Sequence, residues 1–233
     1  MPSRRRFLHA AASVTAGVAA PLAAGAATAA GARWSMVVDL SRCVGCQACT
    51  VACSLEHAVP ADRYRTTVQV HEVRVDGVAK FAMLPRLCNH CDQPACVPVC
   101  PEDATFRMPD GTVQIDDDKC IGCGKCVRAC PYRARFLNPD SDTVEKCSLC
   151  VHRLDAGLLP ACVETCVGGA RQVGDRNDPA GVVAAAIARG ARVLMPEKDT
   201  RPAVYYLGLE TLPDLPAPSA APAKTAGSNP ARA

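Results

Sequence analysis

At 233 residues the chain has room for one or two domains. Apolar residues make up 49% of it, yet aromatics only 4%, and much of the apolar count is alanine near the termini. So few large side chains bury little area per residue, and something further must hold the fold. The net charge of +3 and pI of about 8.1 are too slight a bias for nucleic-acid binding.

The N-terminus runs Ser3-Arg4-Arg5-Arg6-Phe7-Leu8 into a weakly apolar Ala/Gly stretch ending near Gly31. The pair Arg4-Arg5, followed by Phe-Leu and a mildly hydrophobic segment, resembles a twin-arginine export signal over residues 1–31. Its poverty in Leu, Ile and Val, and the interruption at Pro21, argue against a membrane anchor. A basic tail on a cytoplasmic protein would not explain why these features occur together in that order. The twin-arginine route moves folded proteins, which suits a chain whose cofactor is inserted in the reducing cytoplasm.

The sixteen cysteines fall into four groups of four. They are Cys43-x2-Cys46-x2-Cys49-x3-Cys53, then Cys88-x2-Cys91-x4-Cys96-x3-Cys100-Pro101. After these come Cys120-x2-Cys123-x2-Cys126-x3-Cys130-Pro131 and Cys147-x2-Cys150-x11-Cys162-x3-Cys166. The third group matches the bacterial ferredoxin run C-x2-C-x2-C-x3-C-P at every position. Three thiolates two residues apart wrap three corners of a cubane, while the fourth, on the following helix, serves a neighbouring cluster. Gly122 and Gly124 permit positive φ in the loop, and Pro131 ends the helical turn.

Other uses of the cysteines fit less well. Two successive x2 spacings give poor disulfide geometry. A C-x2-C-x2-C triple is unusual for zinc. Covalent haem needs histidine directly after C-x2-C, and Val151 stands between Cys150 and His152. Four [4Fe–4S] clusters with sixteen iron-ligating cysteines are therefore expected. They would make the holoprotein acidic, partly offset by the basic residues near the cysteines: Arg42, Arg86, Lys119, Lys125, Arg128, Arg133, Lys146 and Arg153.

Nineteen residues separate Cys100 from Cys120, so groups two and three form a compact unit. The exchange rule then gives Cys88, Cys91, Cys96 and Cys130 to one cluster, and Cys100, Cys120, Cys123 and Cys126 to the next. The spacing also allows groups one and two to pair, and groups three and four.

Between the first two groups, Thr66–Val75 and Val78–Leu84 are β-rich and flank Asp76-Gly77, predicting a hairpin. Gly111 predicts a turn into a short strand over 112–115. A helix is expected near Pro179–Ala188 ending at Gly190, with strands at Val193–Met195 and Val204–Leu209. A Pro/Ala-rich tail, expected to be disordered, occupies 212–233. His57, His90 and His152 lie near cysteines and are candidates to hydrogen-bond sulfur, with structural or exposed roles as the simpler reading. Asp116-Asp117-Asp118 reads as a solvated turn. No catalytic constellation and no nucleotide, flavin or substrate motif appears.

The chain resembles the four-cluster ferredoxin-like subunits of the dimethyl-sulfoxide-reductase-type molybdoenzymes, from Trp34 to about Leu209. The carrying segments are 39–49, 84–91, 150–154, 157–164 and 166–171, beside the four cysteine groups. Within that family it is most similar to the tetrathionate reductase branch, with Val167 where proline is common after the last cysteine. The resemblance implies an α+β fold of two nested bacterial-ferredoxin-like units with an inserted β-hairpin and loops. Its domain would span 32–211, with an inner unit at 87–131 and an outer one at 36–56 plus 144–170. Nesting gives Cys43, Cys46, Cys49 and Cys166 to one outer cluster and Cys53, Cys147, Cys150 and Cys162 to the other.

The resemblance further implies a non-catalytic electron relay on the periplasmic side of the cytoplasmic membrane. An integral-membrane subunit would oxidise quinol, and a molybdopterin subunit would reduce tetrathionate to thiosulfate. Relatives for polysulfide, thiosulfate, arsenate or nitrite share much of the pattern. A structural metal-binding module without redox function is the alternative of another class.

Overall fold

The computed structural model describes residues 31–212, so all but the last residue of the expected export segment, Arg4 and Arg5 included, and all but the first residue of the expected tail lie outside the described residues. In chain order the elements are β1 (Trp34–Asp39), α1 (Ala48–Glu56), β2 (Thr66–Val75), β3 (Val78–Leu87), β4 (Thr105–Arg107) and β5 (Val113–Ile115). They continue with α2 (Lys125–Ala129), β6 (Arg135–Leu137), β7 (Val144–Lys146), α3 (Val151–Asp155) and α4 (Ala161–Glu164). Last come β8 (Arg171–Asp175), α5 (Val182–Ala188) and β9 (Val204–Leu207). Mixed short helices and ribbons of this kind are a ferredoxin-type α+β arrangement. Among the described residues no helix is long and apolar enough to cross a membrane.

The apolar run Met36-Val37-Val38 makes β1 the middle of a three-stranded sheet, antiparallel to β8 and parallel to β9. Its side chains alternate between two apolar layers, as strand geometry requires. Met36 and Val38 join Leu84, Leu149 and Tyr206 in the main core, whereas Val37 packs with Val183 and Ala186 of α5. Cys49, Cys88, Cys91, Cys147 and Cys162 are themselves part of the main core, so the fold closes around its thiols.

The β2–β3 hairpin turns at Asp76-Gly77, both at positive φ (53° and 78°), in register Val75 opposite Val78. Its second strand runs three residues beyond the sequence expectation, to Leu87, because Leu84 and Leu87 are buried at the base of the hairpin. Asp92 ties the molecule together across sequence: its carboxylate accepts from Arg33 at 2.5 Å and Arg107 at 2.9 Å, and pairs with Arg176 at 2.8 Å.

Three expectations need correction. Val193–Met195 is not a strand: only Arg192 bridges to Tyr206, after which Met195 takes positive φ and Pro196 lacks an N–H. The helix begins at Val182 rather than Pro179, because Asp178 accepts from Ala180 N at 2.9 Å and closes a turn there. The last strand stops at Leu207, where Gly208 at φ 85° starts a 3₁₀ turn; Leu212 beyond it is buried in the main core.

Candidate iron–sulfur centres

The loop before α1 carries Cys43 and Cys46, and the helix carries Cys49. Across from them, after α4, Cys166 faces the same void, which Arg171 also lines. The close approach depends on Gly168, where a Cβ would stand 2.3 Å from the Arg42 carbonyl oxygen. A second void is lined by Cys88, Cys91, Cys96 and Cys130, with Asn89 and Arg135. In each case three thiols from one segment meet a fourth from a distant one.

Cys53, in the second half of α1, is within reach of the charges of Cys147, Cys162 and Cys150. The loop before α2 carries Cys120 and Cys123, and Cys126 lies on the helix. Gly122 in that loop, at φ 65°, would place a Cβ 2.1 Å from the Asp142 carbonyl oxygen. Cys126 is buried with Val113 and Val144, and Cys120 and Val99, the residue before Cys100, pack against the same patch. All sixteen cysteines are free thiols. Among the described residues no three His, Cys, Asp or Glu side chains converge as a single metal ion requires; thiols ring voids instead.

Burial makes these thiols poor anions on their own. It pushes Cys91 and Cys147 up to about 12, and Cys96 and Cys150 up to about 11, with neighbouring thiol charges adding to the effect in each case. Cys53 is raised further still, first by burial and then by Cys147. Bound iron deprotonates such thiols outright, so the donor set fits a cationic sulfur-ligated group. N–H groups already point at sulfur: Leu149 to Cys147 (3.3 Å), Ala170 to Cys166 (3.2 Å) and Val144 to Cys120 (3.4 Å). Both side-chain amide atoms of Asn89, and Nη1 of Arg135, are buried without a partner, and both residues line the second void. Cluster sulfides would accept from the N–H groups of Asn89 Nδ2 and Arg135 Nη1.

Of the three histidines, only His57 reaches a cysteine, with Nε2 3.3 Å from Cys150 Sγ. His90 is fully buried, and its Nδ1 accepts from Val113 N at 3.0 Å. His152 pairs instead with Glu56 at 2.8 Å.

Two models described as "4Fe-4S dicluster domain" match the chain, over residues 42–104 and 79–176. A tetrathionate reductase subunit of Salmonella typhimurium is 52% identical over 183 residues, covering 76% of this chain and 73% of the relative. The chain belongs to the iron–sulfur subunits of dimethyl-sulfoxide-reductase-type oxidoreductases. Other members are similar too. The corresponding tetrathionate reductase subunit of Archaeoglobus fulgidus is 44% identical over 179 residues (77% of this chain, 84% of the relative). A thiosulfate reductase electron transfer subunit of Salmonella typhi is 42% identical over 145 residues (61% and 76%).

Beyond the family's cysteines, sequence reasoning missed Arg135 and Arg171 as neighbours of the thiols, and Asn89 as an orphaned donor. It singled out Lys146 only as one basic residue among eight. No local signal marks the difference: all three cations are buried (4%, 2% and 4% exposed for Arg135, Arg171 and Lys146). Among the described residues none of the three forms an ion pair with a carboxylate.

Proposed function

We propose that the chain is the electron-relay subunit of a tetrathionate reductase, holding four [4Fe–4S] clusters in two nested ferredoxin-like units. The clusters supply one-electron redox chemistry, and the protein supplies ligands, N–H donors and a dry setting. The observation that carries the reading is the sharing of each void between one cysteine triple and a distant fourth thiol: Cys166 with Cys43, Cys46 and Cys49, and Cys130 with Cys88, Cys91 and Cys96. That is the ligand exchange of a two-cluster ferredoxin, used once within 87–131 and once between 36–56 and 144–170. By the same rule Cys53, Cys147, Cys150 and Cys162 hold one remaining cluster, and Cys100, Cys120, Cys123 and Cys126 the other.

The chain does no bond chemistry. A molybdopterin subunit takes its electrons and reduces tetrathionate to thiosulfate, and an integral-membrane subunit supplies them from quinol. The twin-arginine machinery exports the folded chain to the periplasmic side, guided by Arg4 and Arg5. The identity to two tetrathionate reductase subunits supports this acceptor over thiosulfate.

Anaerobically purified full-length chain should be brown, bleach on reduction, and hold about sixteen irons, four per cubane. A colourless, redox-silent preparation would overturn the relay. The complex purified through this chain should reduce tetrathionate; activity with thiosulfate or polysulfide alone would overturn the acceptor. Replacing Arg4 and Arg5 with lysine should leave the chain in the cytoplasm, and unchanged export would remove the twin-arginine route.

A further inference from the structure

The strands β6 and β7 place two cations directly opposite one another, Arg135 across from Lys146. Both are buried, and facing like charges in a two-stranded ribbon are unfavourable. No carboxylate among the described residues pairs with either. What surrounds them is sulfur. Arg135 Nη2 donates to Cys96 Sγ at 2.9 Å, and Cys88 and Cys126 are further anionic neighbours of the guanidinium. Lys146 Nζ donates to the carbonyl oxygens of Val113 and, at 2.9 Å, of Cys147, with the thiols of Cys88, Cys147 and Cys96 as its anionic neighbours.

Arg171, at the start of β8, repeats the situation elsewhere. Its Nη2 donates to Thr66 Oγ1 at 2.8 Å, and the guanidinium lines the void of Cys43, Cys46, Cys49 and Cys166. Its thiol neighbours are Cys162, Cys49 and Cys147. The surroundings of each cation fall on two quartets rather than one. Arg171 lines the void of the Cys49 quartet and has Cys162 as its foremost anionic neighbour. Lys146 donates to the Cys147 carbonyl and to that of Val113, which lines the void of the Cys88 quartet. Arg135 donates to Cys96 and has Cys126, packed in the same buried patch as Cys96, among its anionic neighbours.

We propose that Arg171, Lys146 and Arg135 are positioning residues for electron transfer, each holding a fixed positive charge at the joint between two successive thiol quartets. The proposal rests on the four-cluster reading above. A fixed cation favours the more negative, reduced form on both of its sides. One side chain therefore raises two neighbouring potentials together and keeps the step between them shallow. A purely structural staple would not need charge here, since well-packed apolar residues close a ribbon without the desolvation cost of a buried cation.

The test uses the full-length, anaerobically purified chain, with iron content and spectroscopically monitored redox titration as readouts. Each signal is first assigned by its loss in Cys166→Ala, Cys53→Ala, Cys91→Ala or Cys120→Ala. Lys146→Met should shift the reduction equilibrium of the two adjoining centres about tenfold toward the oxidised form, ~59 mV lower for a one-electron couple. The other two should move much less. Arg171→Met and Arg135→Met should act likewise on their own pairs.

Iron-replete variants with unchanged potentials, or with one centre shifted alone, would overturn the proposal. Where a methionine variant loses iron, Lys146→Arg, Arg171→Lys and Arg135→Lys decide. Iron and potentials retained with the charge support it, and iron lost despite the charge overturns it. A wild-type chain with far fewer than about sixteen irons breaks the four-cluster reading instead.

Discussion

Cys53, Cys147, Cys150 and Cys162 are all buried, and so are Cys88, Cys91 and Cys96, whereas the quartets beginning at Cys43 and Cys100 each leave one thiol, Cys46 or Cys123, exposed. The two kinds of quartet share ligand chemistry and differ in what stabilises charge. At the open pair, water is at hand. N–H donors and desolvated cations serve both pairs, but at the buried pair charge depends on them with no thiol left exposed to water. The buried quartets put more of their thiols into the main core (Cys88, Cys91, Cys147 and Cys162, against Cys49 alone from the open pair), so cluster loss there should cost stability as well as redox function.

The largest effect that tests this contrast comes from removing one thiol from each kind. Cys162→Ser should lower iron by at least about four per chain and drop the thermal midpoint, because Cys162 packs in the main core with Leu149 and Leu154. Cys123→Ser should lose a similar amount of iron with little change in midpoint. Equal destabilisation by calorimetry would erase the distinction. Gly122→Ala comes next: its Cβ would meet the Asp142 carbonyl oxygen, and positive φ costs a non-glycine residue about 1–2 kcal/mol. Iron should be lost from that quartet alone, seen as one missing spectroscopic signal.

Tyr132→Phe sharpens the contrast on the buried side. The Tyr132 hydroxyl lies 2.5 Å from Thr200 Oγ1, and both residues line the void of Cys88, Cys91, Cys96 and Cys130. Losing that bond should cost about 1 kcal/mol in urea unfolding with iron retained. The smallest effect is in pH. Burial, helped by the charges of Arg65 and His152, pushes His57 down from 6.5 to about 4. The unfolded chain then binds more protons between those values, so stability is full above 6.5 and falls as pH drops toward 4. His57→Gln should flatten that fall in melting midpoints; parallel curves would exclude His57 as the group responsible.

Much of this was legible because its signals are local. The Asp76-Gly77 turn needs two residues at positive φ, and its β-branched flanks supply the strands. Gly122 and Gly124 announce the cubane loop by the same logic, at φ 65° and 68°. Val193–Met195 misled because its apolar side chains suit a strand, yet burial of Leu194 against Tyr132, whose hydroxyl donates to the Leu194 carbonyl at 3.4 Å, needs no ladder. Pro179 suggested a helix start, but the Asp178 side chain closes a turn around it first.

By itself the sequence determined the chemistry: sixteen thiols in four groups, one of them at full ferredoxin spacing, admit few partners, since spacing alone sets which donors a short loop can aim at one body. Only the tertiary structure showed that Cys166 and Cys130 line voids with distant cysteine triples, and that Arg135, Lys146 and Arg171 are buried rather than solvated. The reason is physical. A loop's spacing is fixed by bonded geometry over a few residues, whereas burial and the neighbours of a charge depend on segments brought together from across the chain.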